Sequence, residues 1–168
     1  MPTPSELYEL YLINNTDDAR LIELIEISHP SLTETFLLTP TPEPVSLTLE
    51  NGSTITPRPV NMSVKKSSSR DDLDERFTFT ISDIYGELND QADLIPLDDQ
   101  TPVTLTYRGF ISSDTSEPSE GPYILQITSM TQTTDGAVSL EAQSPSLVVN
   151  RTGELYTYDR FPMLRGFL

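Results

Sequence analysis

One histidine, no cysteine and 26 acidic side chains bound the chemistry open to this 168-residue chain. A Ser-His-Asp relay needs its imidazole beside a nucleophilic serine, yet His29 is the sole histidine and no Gly-x-Ser-x-Gly elbow occurs. His29 closes an apolar, alternating run just before Pro30, so the expectation is a ring hydrogen-bonded to backbone at a strand end. One histidine without cysteine is a poor zinc set. Glycosidases hold two carboxylates across a scissile bond, but Asp17-Asp18, Asp71-Asp72 and Asp98-Asp99 are adjacent pairs. Neighbours in a strand point apart, and in loops they are solvated. The calcium-loop pattern of carboxylates around a central glycine is absent, and the seven glycines are scattered singly, with no phosphate cradle. Sequons at Asn14, Asn51, Asn61 and Asn150 read as incidental, because Asn, Ser and Thr fill the turns here. The expectation is no enzyme, no metal and no cofactor.

Charge narrows the partners. Ten basic residues against 26 acidic ones leave a net charge of -16 and a pI near 4.1. Such a surface repels phosphate backbones and anionic lipids, so neither specific nucleic-acid binding nor a membrane is expected. The basic cluster Lys65-Lys66 with Arg70 is followed at once by Asp71-Asp72-Leu73-Asp74-Glu75 and reads as a solvated loop. Hydrophobic residues make up 36 % of the chain, mean hydropathy is -0.30, and no apolar run approaches the ~18 residues of a spanning helix. The start, Met1-Pro2-Thr3-Pro4-Ser5-Glu6, has no secretory character, and the lack of cysteine fits assembly in a reducing cytoplasm.

The elements that would position any site are strands. Leu21–Ile27, Val45–Leu49, Phe77–Ile81, Val103–Tyr107 and Tyr123–Thr128 alternate apolar and polar residues, the signature of half-buried strands. Further strands are expected around Thr35–Leu38, Ser53–Thr56, Val60–Val64 and Ala137–Gln143, with Asn51-Gly52 and Asp135-Gly136 as turns. Three prolines in Pro40–Pro44 force a stiff, extended connection. Thr3-Pro4-Ser5-Glu6 reads as a capped helix start, and Glu87–Leu94 as a second short helix. The prediction is one all-β domain over 1–168, a barrel or sandwich of about 8–10 strands with two short helices. Residues 1–15 form an N-terminal helical arm, and residues 155–168 an aromatic C-terminal tail.

The order of segments resembles a family of tailed-bacteriophage proteins of unassigned biochemical role, associated with tail-tip genes. The resembling stretches are Leu24-Ile25-Glu26-Ile27-Ser28-His29-Pro30, Phe77-Thr78-Phe79-Thr80-Ile81-Ser82-Asp83 and Pro102-Val103-Thr104-Leu105-Thr106-Tyr107. Gly121-Pro122-Tyr123-Ile124-Leu125-Gln126-Ile127 and Tyr158-Asp159-Arg160-Phe161-Pro162-Met163-Leu164 complete the set. The resemblance implies a structural virion protein at the tail tip or baseplate, a hub-like β-domain in a ring about the tail axis. Its implied partners are copies of itself, the distal-tail ring and the hub, and its implied location is the virion after assembly in the host cytoplasm.

Two surfaces are candidates for partner docking. Leu7, Leu10 and Tyr11 share one face of the first helix, and Tyr156, Tyr158, Phe161, Pro162, Met163, Leu164 and Phe167 concentrate apolar area in the tail. Helix and tail equally allow a bland reading, in which the helix covers an open end of the β-structure and the tail staples its own core. A rival function is a carbohydrate- or receptor-binding β-sandwich of a tail fibre or adhesin. The absence of tryptophan weighs against that alternative, because sugar sites favour aromatic platforms.

Overall fold

A computed structural model describes residues 3–14, 19–66, 76–82, 86–96, 98–99, 101–133 and 136–145, without the side chains of residues 4, 5, 7, 10 and 14. The chain forms helix α1 (Pro4–Asn14), then strands β1 (Leu21–Ser28), β2 (Phe36–Thr39), β3 (Leu47–Thr48) and β4 (Thr54–Ile55). Next come β5 (Arg58–Pro59), β6 (Met62–Lys66), β7 (Arg76–Ser82) and helix α2 (Glu87–Ala92). Strands β8 (Thr104–Ile111), β9 (Glu120–Gln132) and β10 (Ala137–Gln143) complete the described fold. As expected, it is mostly β-structure with two short helices.

Alternation becomes an inside and an outside. In β7, Phe77, Phe79 and Ile81 are buried while Arg76 and Thr80 are exposed. Register sets Phe77, Phe79 and Ile81 opposite Ala142, Leu140 and Val138 of β10, which are buried too. Strand order in the large sheet is β5-β2-β1-β8-β9-β10-β7-β6, with only β2 and β5 running parallel.

The outermost members of that sheet, β5 and β6, are joined by Val60 and Asn61 alone. The Val60 N–H donates to the Thr39 carbonyl of β2 at 2.9 Å, and the Asn61 carbonyl accepts from the Ser82 N–H of β7 at 2.9 Å. Residues 58–66 are therefore one bent strand that pairs with β2 at its start and β7 at its end. The sheet closes into a barrel, which removes the open edges of a flat sheet. Of the two expected architectures, the barrel is the one observed.

The barrel interior is one apolar cluster drawn from β1, β2, β7, β8, β9 and β10. A second, smaller cluster lies outside it. Strand β1 is buried on both faces: Ile25 and Ile27 point inward, whereas Ile22 and Leu24 pack outside with Phe110 and with Leu47 of the β3–β4 hairpin. Arg108 holds that hairpin down, donating from Nη1 to Glu26 Oε2 (2.6 Å) and from Nε to Glu50 Oε1 (2.8 Å). The expected strand Val45–Leu49 shortens to Leu47–Thr48, and the Leu49 N–H donates to the Ser53 carbonyl across the turn. At Gly52 the φ of 79° is the left-handed conformation that the Asn51-Gly52 signal anticipates.

Candidate functional surfaces at the two ends of the barrel

Strand register sorts the interior into two ends. Glu23 stands opposite Gly109, Gly109 opposite Glu120, and Lys66 opposite Phe77, all towards the end where α1 packs on β8. Ile27, Phe36, Ile127 and Leu140 lie towards the other end, beside α2.

The α1 end is polar. Lys66 Nζ donates to Glu120 Oε1 at 2.6 Å and sits 4.4 Å from the centre of the Tyr107 ring. The Tyr107 hydroxyl donates to Glu23 Oε1 at 3.0 Å. Phe77 and Tyr123 gather around Tyr107, with ring centres 5.7 and 6.2 Å from it. Burial, then the charges of Glu23 and Glu120, push the Tyr107 hydroxyl far above its ordinary pKa. Tyr8 of α1 is pushed up to about 12 by burial, then by the charge of Glu120 and a hydrogen bond to it. Both tyrosines stay protonated near neutral pH, and Tyr107 acts as a donor. Glu120 Oε2 and Ser119 Oγ are buried with no hydrogen-bond partner among the described residues.

Glycine makes room for this arrangement. A Cβ on Gly109 would lie 3.1 Å from both Glu120 Cβ and Oε2, so Glu120 reaches across bare backbone at a register shift between β8 and β9. Lys66, expected in a solvated loop, is instead the last residue of β6, and cross-strand pairing carries it to the barrel end. Glu120 lies 54 residues away in sequence, and no local pattern links the two.

Helix α1 has the anticipated capping box. The Glu6 N–H donates to Thr3 Oγ1 at 3.4 Å, and the Thr3 N–H donates to Glu6 Oε2 at 2.8 Å. Of the three expected docking residues, Tyr11 is half-buried, and the side chains of Leu7 and Leu10 lie outside those described. Tyr8, which sequence reasoning passed over, is the α1 residue among the polar groups of the barrel end. Leu12 and Ile13 point to solvent, 63 % and 77 % exposed. A stripe read as single-sided is in fact apolar on more than one side. The signal was present in Tyr8-x-x-Tyr11-Leu12, which shares a helical face as well as Leu7-x-x-Leu10-Tyr11 does.

The α2 end is apolar. A cavity of about 570 Å³ opens between α2, the residues after it and the ends of β1, β9 and β10. Thr33 N–H donates to Gln91 Oε1 at 3.0 Å, and Arg58 pairs with Glu87, so α2 is fixed across this opening. His29 lies nearby and is buried, its Nδ1 accepting from the Ser31 N–H (3.1 Å) and its Nε2 facing the Thr101 carbonyl (3.2 Å). That is the backbone-bonded role expected of it. Asp99 Oδ2 stands 3.7 Å from the ring; hydrogen bonds from Thr101, then the nearby imidazole, hold its carboxyl below the usual range.

The expected tail residues Tyr156, Tyr158, Phe161, Pro162, Met163, Leu164 and Phe167 lie outside the described residues. Among the described residues no group of three or more His, Asp and Glu side chains is placed to hold a metal ion, and no helix is long and apolar enough to cross a membrane. No curated protein matches the chain. The sequence profile of a domain of unknown function, DUF1833, matches residues 10–144, from the later part of α1 to just past the end of β10. With its whole barrel inside that match, the chain belongs to the DUF1833 family.

Proposed function

We propose that the protein is a structural virion component of a tailed bacteriophage, forming part of the tail-tip or baseplate ring around the tail axis, near the hub and the distal-tail ring. The observation that carries this reading is the solvent-facing pair Leu12 and Ile13 on a helix that packs on β8 at the barrel end. An arm that is both anchored and apolar on its outer side suits a subunit that presents a fixed surface to a neighbour. Three further features support it. The ordered segments resemble the tail-tip family; the polar groups at the α1 end are largely engaged with each other; and a net charge of -16 suits a channel wall that DNA must slide past.

The test is localisation. Antibody raised against residues of the β3–β4 hairpin, applied to tailed particles from cells that make the protein, should decorate the distal tip in electron micrographs. Mass spectrometry of the same particles should find the chain at a constant ratio to the tail-tube subunit. Particles that lack it while the cell lysate contains it would overturn the reading. Specific retention on a glycan array, with no protein in the particles, would favour the adhesin alternative.

A further inference from the structure

Asparagine followed by glycine is the pairing at which a polypeptide most readily attacks itself, and this chain has one such pair, Asn51-Gly52. Glycine has no Cβ, so the Gly52 nitrogen can reach the side-chain carbonyl carbon of Asn51 and close a five-membered ring. A base takes the Gly52 amide proton, a bond forms between that nitrogen and Asn51 Cγ, and the bond from Cγ to the side-chain nitrogen breaks, releasing ammonia. Water then opens the succinimide at either carbonyl and leaves aspartate or isoaspartate. The step consumes water alone. The other asparagines are followed by Asn15, Thr16, Met62, Asp90 and Arg151, whose side chains crowd the attack.

Solvent reaches this pair. Asn51, Gly52 and Ser53 are exposed, and a Cβ built on Gly52 would meet nothing within 4 Å. The closed turn nevertheless ties up both reacting groups. The Gly52 N–H donates to the Leu49 carbonyl at 2.9 Å, which directs its proton into the turn. Asn51 Oδ1 accepts from the Ser53 N–H at 2.9 Å and from the Ser53 hydroxyl, which holds the side chain towards Ser53. Ring closure needs both sets of bonds broken, because the nitrogen must be free and must approach Cγ to about 3–3.5 Å with its orbital aligned.

The two products do not fit the turn equally. The Leu49 N–H bonds to the Ser53 carbonyl, so the loop is only Glu50, Asn51 and Gly52, with Gly52 at a φ of 79°. Aspartate keeps an oxygen for the Ser53 donors. Isoaspartate routes the main chain through the former side chain and adds a methylene to this short loop, so the Leu49–Ser53 pair loses its geometry. Two restraints keep the turn shut. Leu47 is fully buried with Ile22, Leu24 and Phe110, and Glu50 accepts from Arg108 Nε at 2.8 Å.

We propose that Asn51 is a site of spontaneous deamidation gated by the β3–β4 turn. The closed hairpin protects it, opening frees it to cyclise, and the isoaspartyl product keeps the hairpin from closing again. Opening thereby leaves a permanent covalent record in the chain. This inference stands apart from the tail-tip reading, because it rests on the turn alone.

The test follows the full chain in mildly alkaline buffer across a guanidinium series, with a peptide of residues 48–56 in the same buffers as the ungated reference. Mass spectrometry of digests counts aspartyl and isoaspartyl products at position 51. In the folded chain the rate should be at least about tenfold below that of the peptide, and it should rise to the peptide's value as the hairpin opens. Leu47→Ala and Arg108→Met each weaken one restraint and should move that rise to lower guanidinium. A folded chain that reacts as fast as the peptide would overturn the proposal, as would a rise that neither variant moves. An unfolded chain that forms no product would overturn it equally. After refolding, the Leu49 amide should exchange slowly in the aspartyl form and at nearly the peptide's rate in the isoaspartyl form. Equal protection in the two forms would refute the one-way step.

Discussion

Replacing Leu47 with alanine asks whether the β3–β4 hairpin is part of the cooperative fold or an ornament on it. Leu47 belongs to a strand of two residues, yet its side chain is fully buried against Ile22, Leu24 and Phe110 on the outside of the barrel. Truncation removes three carbons, roughly 2.4 kcal/mol of transfer free energy at about 0.8 per buried CH₂. A cavity adds to that, although a hairpin on the surface can settle inward and recover part of it. The expected loss is about 3 kcal/mol. For a chain of this size that is a fall in melting temperature of roughly 6–12 °C. Urea unfolding followed by circular dichroism should show a lower midpoint with an unchanged slope, because the same surface is exposed on unfolding. The reasoning fails if the midpoint is unmoved while amides of residues 47–55 alone lose protection from hydrogen exchange. That pattern would mean the hairpin opens by itself and the outer cluster lies outside the cooperative unit.

Three other outcomes follow from the same geometry. Arg108→Met removes the clamp on Glu26 and Glu50 and should cost about 2 kcal/mol, reduced by the partial solvent access of both carboxylates; a loss under about 0.5 kcal/mol in thermal unfolding would show the clamp idle. His29→Ala breaks the backbone contacts at Ser31 and Thr101 and should cost about 1–2 kcal/mol with the barrel retained; urea titration showing no change would remove its structural role. Tyr8 has a folded pKa of about 12 against an ordinary 10, so its protonated form is favoured by folding. Its contribution is complete below pH 10 and is lost as pH rises from 10 towards 12, on the order of 1 kcal/mol once partial exposure is discounted. Stability of the Tyr8→Phe variant measured over that range should fall less steeply than that of the natural chain, and parallel curves would refute the assignment.

Local pattern carried most of the strands. Alternation located β1, β7, β8, β9 and β10, Asn51-Gly52 located the hairpin turn, and Thr3-x-x-Glu6 the helix cap, because each of these depends on residues adjacent on the pleat or within one helical turn. Zero cysteines, one histidine and scattered glycines likewise settled from composition what the barrel had to work with. Barrel closure was not legible, because it rests on the Val60 and Asn61 hydrogen bonds to β2 and β7, which depend on how the whole sheet curls. Nor was the two-faced burial of β1: Leu24 and Ile25 are both buried, which alternation forbids unless an outer layer exists, and that layer is a hairpin more than twenty residues downstream. The polar end assembles Glu23, Lys66, Tyr107 and Glu120 from four strands, and Tyr8 joins them from α1. Local sequence records which way a side chain points from its own strand; only the closed sheet, by setting register and curvature together, decides which other side chains it meets there.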